Sequence, residues 1–200
     1  AAADSGIDTD ACQVRFSNAV SAQTLFNATQ PPNVNITNPS NKIRTYYLVG
    51  AAQAYDDSAA SFHGTHTTGN AVGDNFATLA TATTPAHDFG DGMAPAATVV
   101  FQDVGQHDGS LDGLAVGQTN LQQQAHDSGA RIHNNSYGVR AAQAADPNAY
   151  DLDSQDLDEV MWRLRHYMIF FSAGNAGPAP GGLGLGGSTA KNTLSVGATV

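Results

Sequence analysis

The chain has 200 residues, 41% of them hydrophobic and 13% charged, which fits one folded domain with a sizeable core and leaves little room for two. Eight Lys and Arg stand against 18 Asp and Glu, a net charge of −10, which argues against recognition of a nucleic-acid backbone. The single cysteine, Cys12, excludes an internal disulfide and zinc sites built on two or four cysteines, and no apolar run approaches the roughly 20 residues of a membrane-spanning helix.

Ala1-Ala2-Ala3 has neither the charged start nor the long apolar stretch of a signal peptide. Ala3-Asp4-Ser5-Gly6-Ile7 then puts an Asp at the end of a short apolar segment. That suits the carboxyl end of a strand, where catalytic groups gather in parallel sheets; a turn-forming Asp-Ser-Gly is the alternative. Residues 12–55 are rich in Asn, Gln, Thr and Pro, with breakers at Pro31-Pro32 and Asn38-Pro39, and read as irregular. In His63-Gly64-Thr65-His66 two histidines three apart can share a helix face. Three readings are open: a metal pair, although the H-E-x-x-H spacing is absent; a catalytic His at a helix start, with Gly64 permitting close packing; or a polar turn.

Residues 98–104 are rich in β-formers and predict a strand. Leu111, Leu114, Ala115, Gln118, Leu121 and Ala125 recur at helical spacing and end at Gly129, and residues 130–136 predict another short strand. Leu157, Val160, Met161 and Leu164 mark the clearest helix. Ser154 is its expected N-cap, with acids near the start and Arg163, Arg165 and His166 near the end, as the helix dipole favours. Residues 167–172 predict a strand buried on both faces. Ala173-Gly174-Asn175 follows, and its Asn could aim an amide at developing negative charge or simply form a Gly-Asn turn. Residues 174–188 are a Gly- and Pro-rich loop. Its Gly182-Leu183-Gly184-Leu185-Gly186-Gly187 fits G-x-G-x-x-G, but Pro178-Ala179-Pro180-Gly181 stands where a dinucleotide site needs a strand. Residues 193–200 predict one more strand. Alternation of strands and helices argues for an α/β fold with a largely parallel sheet.

The acidic set comprises 17 Asp and a single Glu, Glu159. Asp suits turns and oxygen-ligand sites, so a solvated acidic surface and Ca²⁺ in Asp-rich loops are both open readings.

The order of Asp4, His63 and Asn175 resembles the subtilisin-like serine protease family (subtilases). Asp4-Ser5-Gly6-Ile7 is similar to its Asp block, His63-Gly64-Thr65-His66 to its His block and Ser172-Ala173-Gly174-Asn175 to its oxyanion block. Weaker matches are Gly92-Met93-Ala94-Pro95-Ala96-Ala97-Thr98-Val99, Asn135-Ser136-Tyr137-Gly138 and Ser188-Thr189-Ala190-Lys191-Asn192-Thr193-Leu194-Ser195-Val196-Gly197-Ala198. The resemblance implies a three-layer subtilisin-like α/β fold, a mostly parallel central sheet flanked by helices, incomplete in this chain.

It further implies a serine endopeptidase. His63 would be the general base, Asp4 its orienting carboxylate and Asn175 the oxyanion donor. Ser136, Tyr137 and Gly138 would run beside the substrate backbone, and Ala173 and Gly174 would line the first specificity pocket. The family's Gly-Thr-Ser-Met-Ala nucleophile block does not occur in these residues. Residues 1–200 are therefore expected to be an internal part of a catalytic domain, with the N-terminal elements and the Ser-bearing part outside it, and inactive alone. Phe62 stands where the family usually has Gly, and Thr67-Thr68 where Val-Ala is commoner.

The resemblance implies polypeptide substrates, a propeptide or proteinaceous inhibitor as partner, an extracellular location and no cofactor for catalysis. Structural Ca²⁺ is common in such a family, and Asp56, Asp57 and Asp74 lie in loops that could contribute. Two competing readings are a non-catalytic subtilase-like binding module and a metallohydrolase using His63, His66 and an Asp. Sequons at Asn27, Asn35 and Asn134 matter only in a eukaryotic secretory source.

Overall fold

The structure, a computed structural model, describes residues 1–8, 11, 14, 34–35, 42–50, 56, 61–74, 90–138, 146, 148–175 and 187–198. They fall into two units, Ala2–Ala115 and Ala1 with Val116–Val200. Cys12, Asn27, Asp57 and the G-x-G-x-x-G residues 182–186 lie outside the described residues.

The first unit contains β1 (Ala2–Asp4), β2 (Val34–Asn35), β3 (Ile43–Leu48), α1 (His63–Val72) and β4 (Val99–Asp103). β4 is buried along its whole length, as its run of Val, Val and Phe leads one to expect of a strand flanked on both sides. It pairs in parallel with β3 on one edge and β1 on the other; β2 adds to β3 in antiparallel. Ile7, Val14, Ile43, Tyr46, Val99 and Phe101 form the core of the unit. Each such side chain, fully buried, contributes about 1.5–3 kcal/mol.

The register sets Asp4 opposite Asp103 at the carboxyl ends of β1 and β4. The buried Asp103 carboxylate is not left alone, because the Tyr46 hydroxyl and the Gly105 amide both donate to it. β3 corrects the reading of residues 12–55 as irregular. Ile43, Thr45, Tyr46 and Tyr47 are strong β-formers, but they follow a Pro- and Asn-rich stretch whose composition dominates a wider window.

The second unit contains α2 (Gln118–Asp127), β5 (Ile132–Asn135), α3 (Leu152–Arg163), β6 (Met168–Ser172) and β7 (Leu194–Val196), with β5, β6 and β7 paired in parallel. Six strands thus lie in parallel pairs, three in each unit, with three α-helices, an α/β arrangement consistent with the subtilisin-like fold.

Three expectations for this unit are corrected. The helix expected from Leu111 is two pieces, a 3₁₀ turn at Asp112–Val116 and then α2, because Gly117 at φ 83° breaks the helical path. The N-cap of α3 is Asp151, whose carboxylate accepts from the Ser154 amide and hydroxyl. Ser154 is itself buried inside the first turn. β6 is not buried on both faces. Ile169 and Phe171 are buried, whereas Met168 is exposed, as are Ile132, Leu194 and Val196 on the neighbouring strands. β7 is shorter than the strand expected over residues 193–200.

Candidate functional site

The first unit brings two of the sequence-predicted residues into direct contact. Asp4 ends β1, and His63 opens α1. His63 Nδ1 lies 2.7 Å from Asp4 Oδ1. An ionised carboxylate only accepts, so Nδ1 carries the hydrogen and the lone pair sits on Nε2. Nε2 has no partner among the described residues, and the His63 side chain is about half exposed. Asp4 is buried at 2% exposure and is held by two further donors, the Ser5 amide on Oδ1 at 2.8 Å and the Thr67 hydroxyl on Oδ2 at 3.0 Å. The hydrogen bond to Asp4 is the main reason that the His63 pKa is raised above its ordinary value. Partial burial opposes this, and the charges of Asp4 and Asp56 reinforce it.

Gly64 is what lets α1 approach the end of β1. A Cβ there would lie 1.9 Å from the Gly6 carbonyl oxygen and 3.1 Å from the Asp4 Cβ, and the nearer atom is backbone that cannot swing aside. Gly64→Ala is therefore expected to push the start of α1 off β1 and to destabilise the unit by about 1–3 kcal/mol or more. A chemical-denaturation midpoint indistinguishable from that of the unmodified protein would refute this close approach.

Two further residues belong to this cluster, Thr67, which the sequence marks only as a departure from the family, and Asp56, which it marks only as a candidate cation contributor. Thr67 lies four residues after His63 on the same helix face, and that spacing was the available signal. Its polarity, noted only as a departure from Val, supplies a donor to Asp4. Asp56, 5% exposed, accepts from the Ser5 hydroxyl on Oδ1 at 2.9 Å and from the Thr65 amide on Oδ2 at 2.8 Å. Burial pushes its carboxyl pKa up, against those hydrogen bonds, and the Asp4 charge acts in the same upward direction. No spacing rule connects position 56 to this cluster.

Each Asp56 oxygen accepts one hydrogen bond from the protein itself. His66 Nε2 pairs with the Asn70 amide, and no group of three or more His, Cys, Asp or Glu side chains that could hold a metal ion occurs among the described residues.

The remaining predicted residues belong to the second unit. Ser136, Tyr137 and Gly138 follow β5 and have no strand pairing of their own among the described residues. Ser136 Oγ accepts from the Asn134 amide group at 2.9 Å, and Gly138 is exposed. Tyr137 is buried, edge-on to Phe171 with ring centroids 5.7 Å apart, and its hydroxyl donates to Asn135 Oδ1 at 2.9 Å. Asn135 in turn donates to the Phe170 carbonyl and accepts from Gln122 of α2. Tyr137 is thus a packed residue anchored by a buried amide network.

Ala173 is half-buried, and its amide donates to the Val196 carbonyl at 2.8 Å. Gly174 follows at φ 95°, a backbone angle that favours glycine, and turns the chain out of β6. Asn175 is exposed and makes no hydrogen bond among the described residues. His133, buried in β5, sits beside the Tyr167 ring, and burial drives its pKa well below the usual imidazole value, so it reads as a neutral core histidine.

A scan against family models matches the subtilase family over residues 1–200. A search of curated proteins returns no match.

Proposed function

Because the chain belongs to the subtilase family, a family of serine peptidases, we propose that residues 1–200 are part of the catalytic domain of an endopeptidase whose nucleophilic Ser lies outside them. The observation that carries this reading is the 2.7 Å contact from Asp4 Oδ1 to His63 Nδ1, with the carboxylate buried and no partner for Nε2 among the described residues.

The proposed chemistry uses that tautomer. His63 Nε2 takes the proton of the Ser hydroxyl as the oxygen attacks a peptide carbonyl. It returns the proton to the leaving amine as the tetrahedral intermediate collapses, and water then repeats the cycle on the acyl-enzyme. Asp4 stays ionised, keeps the hydrogen on Nδ1 and stabilises the imidazolium that forms. The Asn175 side-chain amide donates to the oxyanion. The backbone of Ser136, Tyr137 and Gly138, with Ala173 and Gly174, contacts the substrate, while the buried Tyr137 side chain fixes the backbone on either side of it. An extracellular site of action and control by a propeptide or proteinaceous inhibitor belong to the same proposal.

The test is intact mass of the full-length protein before and after a fluorophosphonate probe. The expected result is one covalent adduct, abolished by His63→Ala. A folded full-length protein that takes no adduct overturns the peptidase reading and leaves the binding-module alternative.

A further inference from the structure

The start of α1 lacks a local cap. Phe62, the residue before it, sits at φ 53° and has no side-chain hydrogen bond to the helix. Ser61 is also left-handed, at φ 58°. Two of the open helical amides are satisfied from elsewhere in the chain. Gly64 N–H donates to Ser5 Oγ at 3.1 Å, and Thr65 N–H donates to Asp56 Oδ2 at 2.8 Å. Ser5 Oγ spends its own hydrogen on Asp56 Oδ1 at 2.9 Å. A closed circuit results, running from Ser5 at the end of β1 to Asp56, then to Thr65 and Gly64 of α1, and back to Ser5.

We propose that Asp56 is a positioning residue for His63, clamping the end of β1 to the start of α1 through Ser5 and Thr65. The kinetic part of this inference rests on the peptidase reading above; the geometric and electrostatic parts do not.

Three features favour a positioning role over ordinary solvation. The carboxylate is 5% exposed, although its charged form is the costly one to bury. It lies at a helix N-terminus, where negative charge is stabilised, in a helix with no acidic residue in its own first turn. Each oxygen meets a different element of the dyad's framework, so the carboxylate fixes the separation of Asp4 from His63 without touching the Asp4 carboxylate or the His63 ring.

The charge has a separate consequence. The charged groups acting on His63 are Asp4, at the end of β1, and Asp56, before α1. The next titratable side chain along α1, His66, is engaged with Asn70. Asp56 favours the imidazolium, so removing its charge moves the His63 titration to lower pH. Asp56→Asn keeps an oxygen for the Thr65 amide and removes the charge. Asp56→Ala removes both.

The experiment compares the full-length protein with its Asp56→Asn and Asp56→Ala variants. It reads the His63 titration by imidazole NMR and kcat and KM on a peptide substrate across pH. Asp56→Ala is expected to lower kcat about tenfold to a hundredfold, the scale of a misplaced catalytic group, with KM nearly unchanged. Asp56→Asn is expected to recover most of that rate and to move both the NMR midpoint and the acid limb of kcat/KM to lower pH.

A His63 midpoint that does not fall in Asp56→Asn overturns the inference, and so does a kcat in Asp56→Ala within about twofold of the unmodified value. If Asp56→Ala does not fold, the Asn variant decides. If the unmodified protein cleaves no peptide, the peptidase reading fails by itself, and the NMR midpoint still decides whether Asp56 acts on His63.

Discussion

Replacing Asp4 with Asn in the full-length protein is expected, on the proposed peptidase mechanism, to lower kcat by about 10⁴ and to leave KM within a few-fold. The side chain keeps its size, so β1 and its pairing with β4 are undisturbed. What changes is the charge behind the imidazole and its hold on the tautomer. Asp4 accepts from His63 Nδ1 at 2.7 Å and from the Ser5 amide on one oxygen, and from the Thr67 hydroxyl on the other. With its amide nitrogen toward His63, an Asn forces the hydrogen onto Nε2 and removes the base. With the nitrogen toward Thr67, whose hydroxyl can accept while donating to the Gly64 carbonyl, the tautomer survives but the imidazolium loses its counter-charge.

The same substitution moves the His63 titration to lower pH, because the hydrogen bond to Asp4 is the first cause of its raised value. The stability consequence has a definite sign. A histidine whose folded pKa is raised adds stability that is fully present below its unfolded value near 6.5 and is lost as pH rises through the folded value. Asp4→Asn should therefore destabilise the fold more at pH 5 than at pH 9, read as the difference in denaturation midpoint from the unmodified protein. Equal destabilisation at both pH values would separate Asp4 from His63 ionisation.

The parts of the fold legible in sequence were those with a local signature. β4, α3, β5 and β6 carry their own hydrophobic patterns, and each was placed to within a few residues. β3 was hidden because a six-residue strand cannot outweigh the polar, Pro-rich stretch before it. The exposed face of β6 was hidden for a different reason. An apolar run reports the composition of a strand, not whether an element covers each face.

The site divides along similar lines. Asp4 and His63 sit in short motifs, and the contact between them follows when β1 and α1 meet through Gly64. Thr67 was visible as an unusual polar residue, but its purpose depends on the direction in which one face of α1 points. Asp56 was read as an acidic loop residue suited to a cation, because composition reports charge and not partner. Only the fold reveals that the partners are a hydroxyl and a helical amide.

Asn175→Ala in the full-length protein is expected, on the proposed mechanism, to lower kcat by about 10²–10³, the size that such oxyanion donors carry in the subtilisin family, with little change in KM. The split follows from where the proposed interaction acts. A neutral substrate carbonyl gains little from one more donor, whereas the tetrahedral oxyanion bears a full charge, so the loss falls on the transition state. The local structure suits that task. Gly174, at φ 95°, turns the chain at the end of β6, and Asn175 is left exposed with no hydrogen bond among the described residues to compete for its amide. The same exposure predicts that the substitution costs almost no stability, since no hydrogen bond among the described residues is lost. Asn175→Asp sharpens the comparison, because a carboxylate has no hydrogen to donate and repels the charge that develops. It should fall below the Ala variant in kcat at pH values where the carboxylate is ionised. An Ala variant that retains kcat while KM rises would reassign Asn175 to ground-state substrate binding.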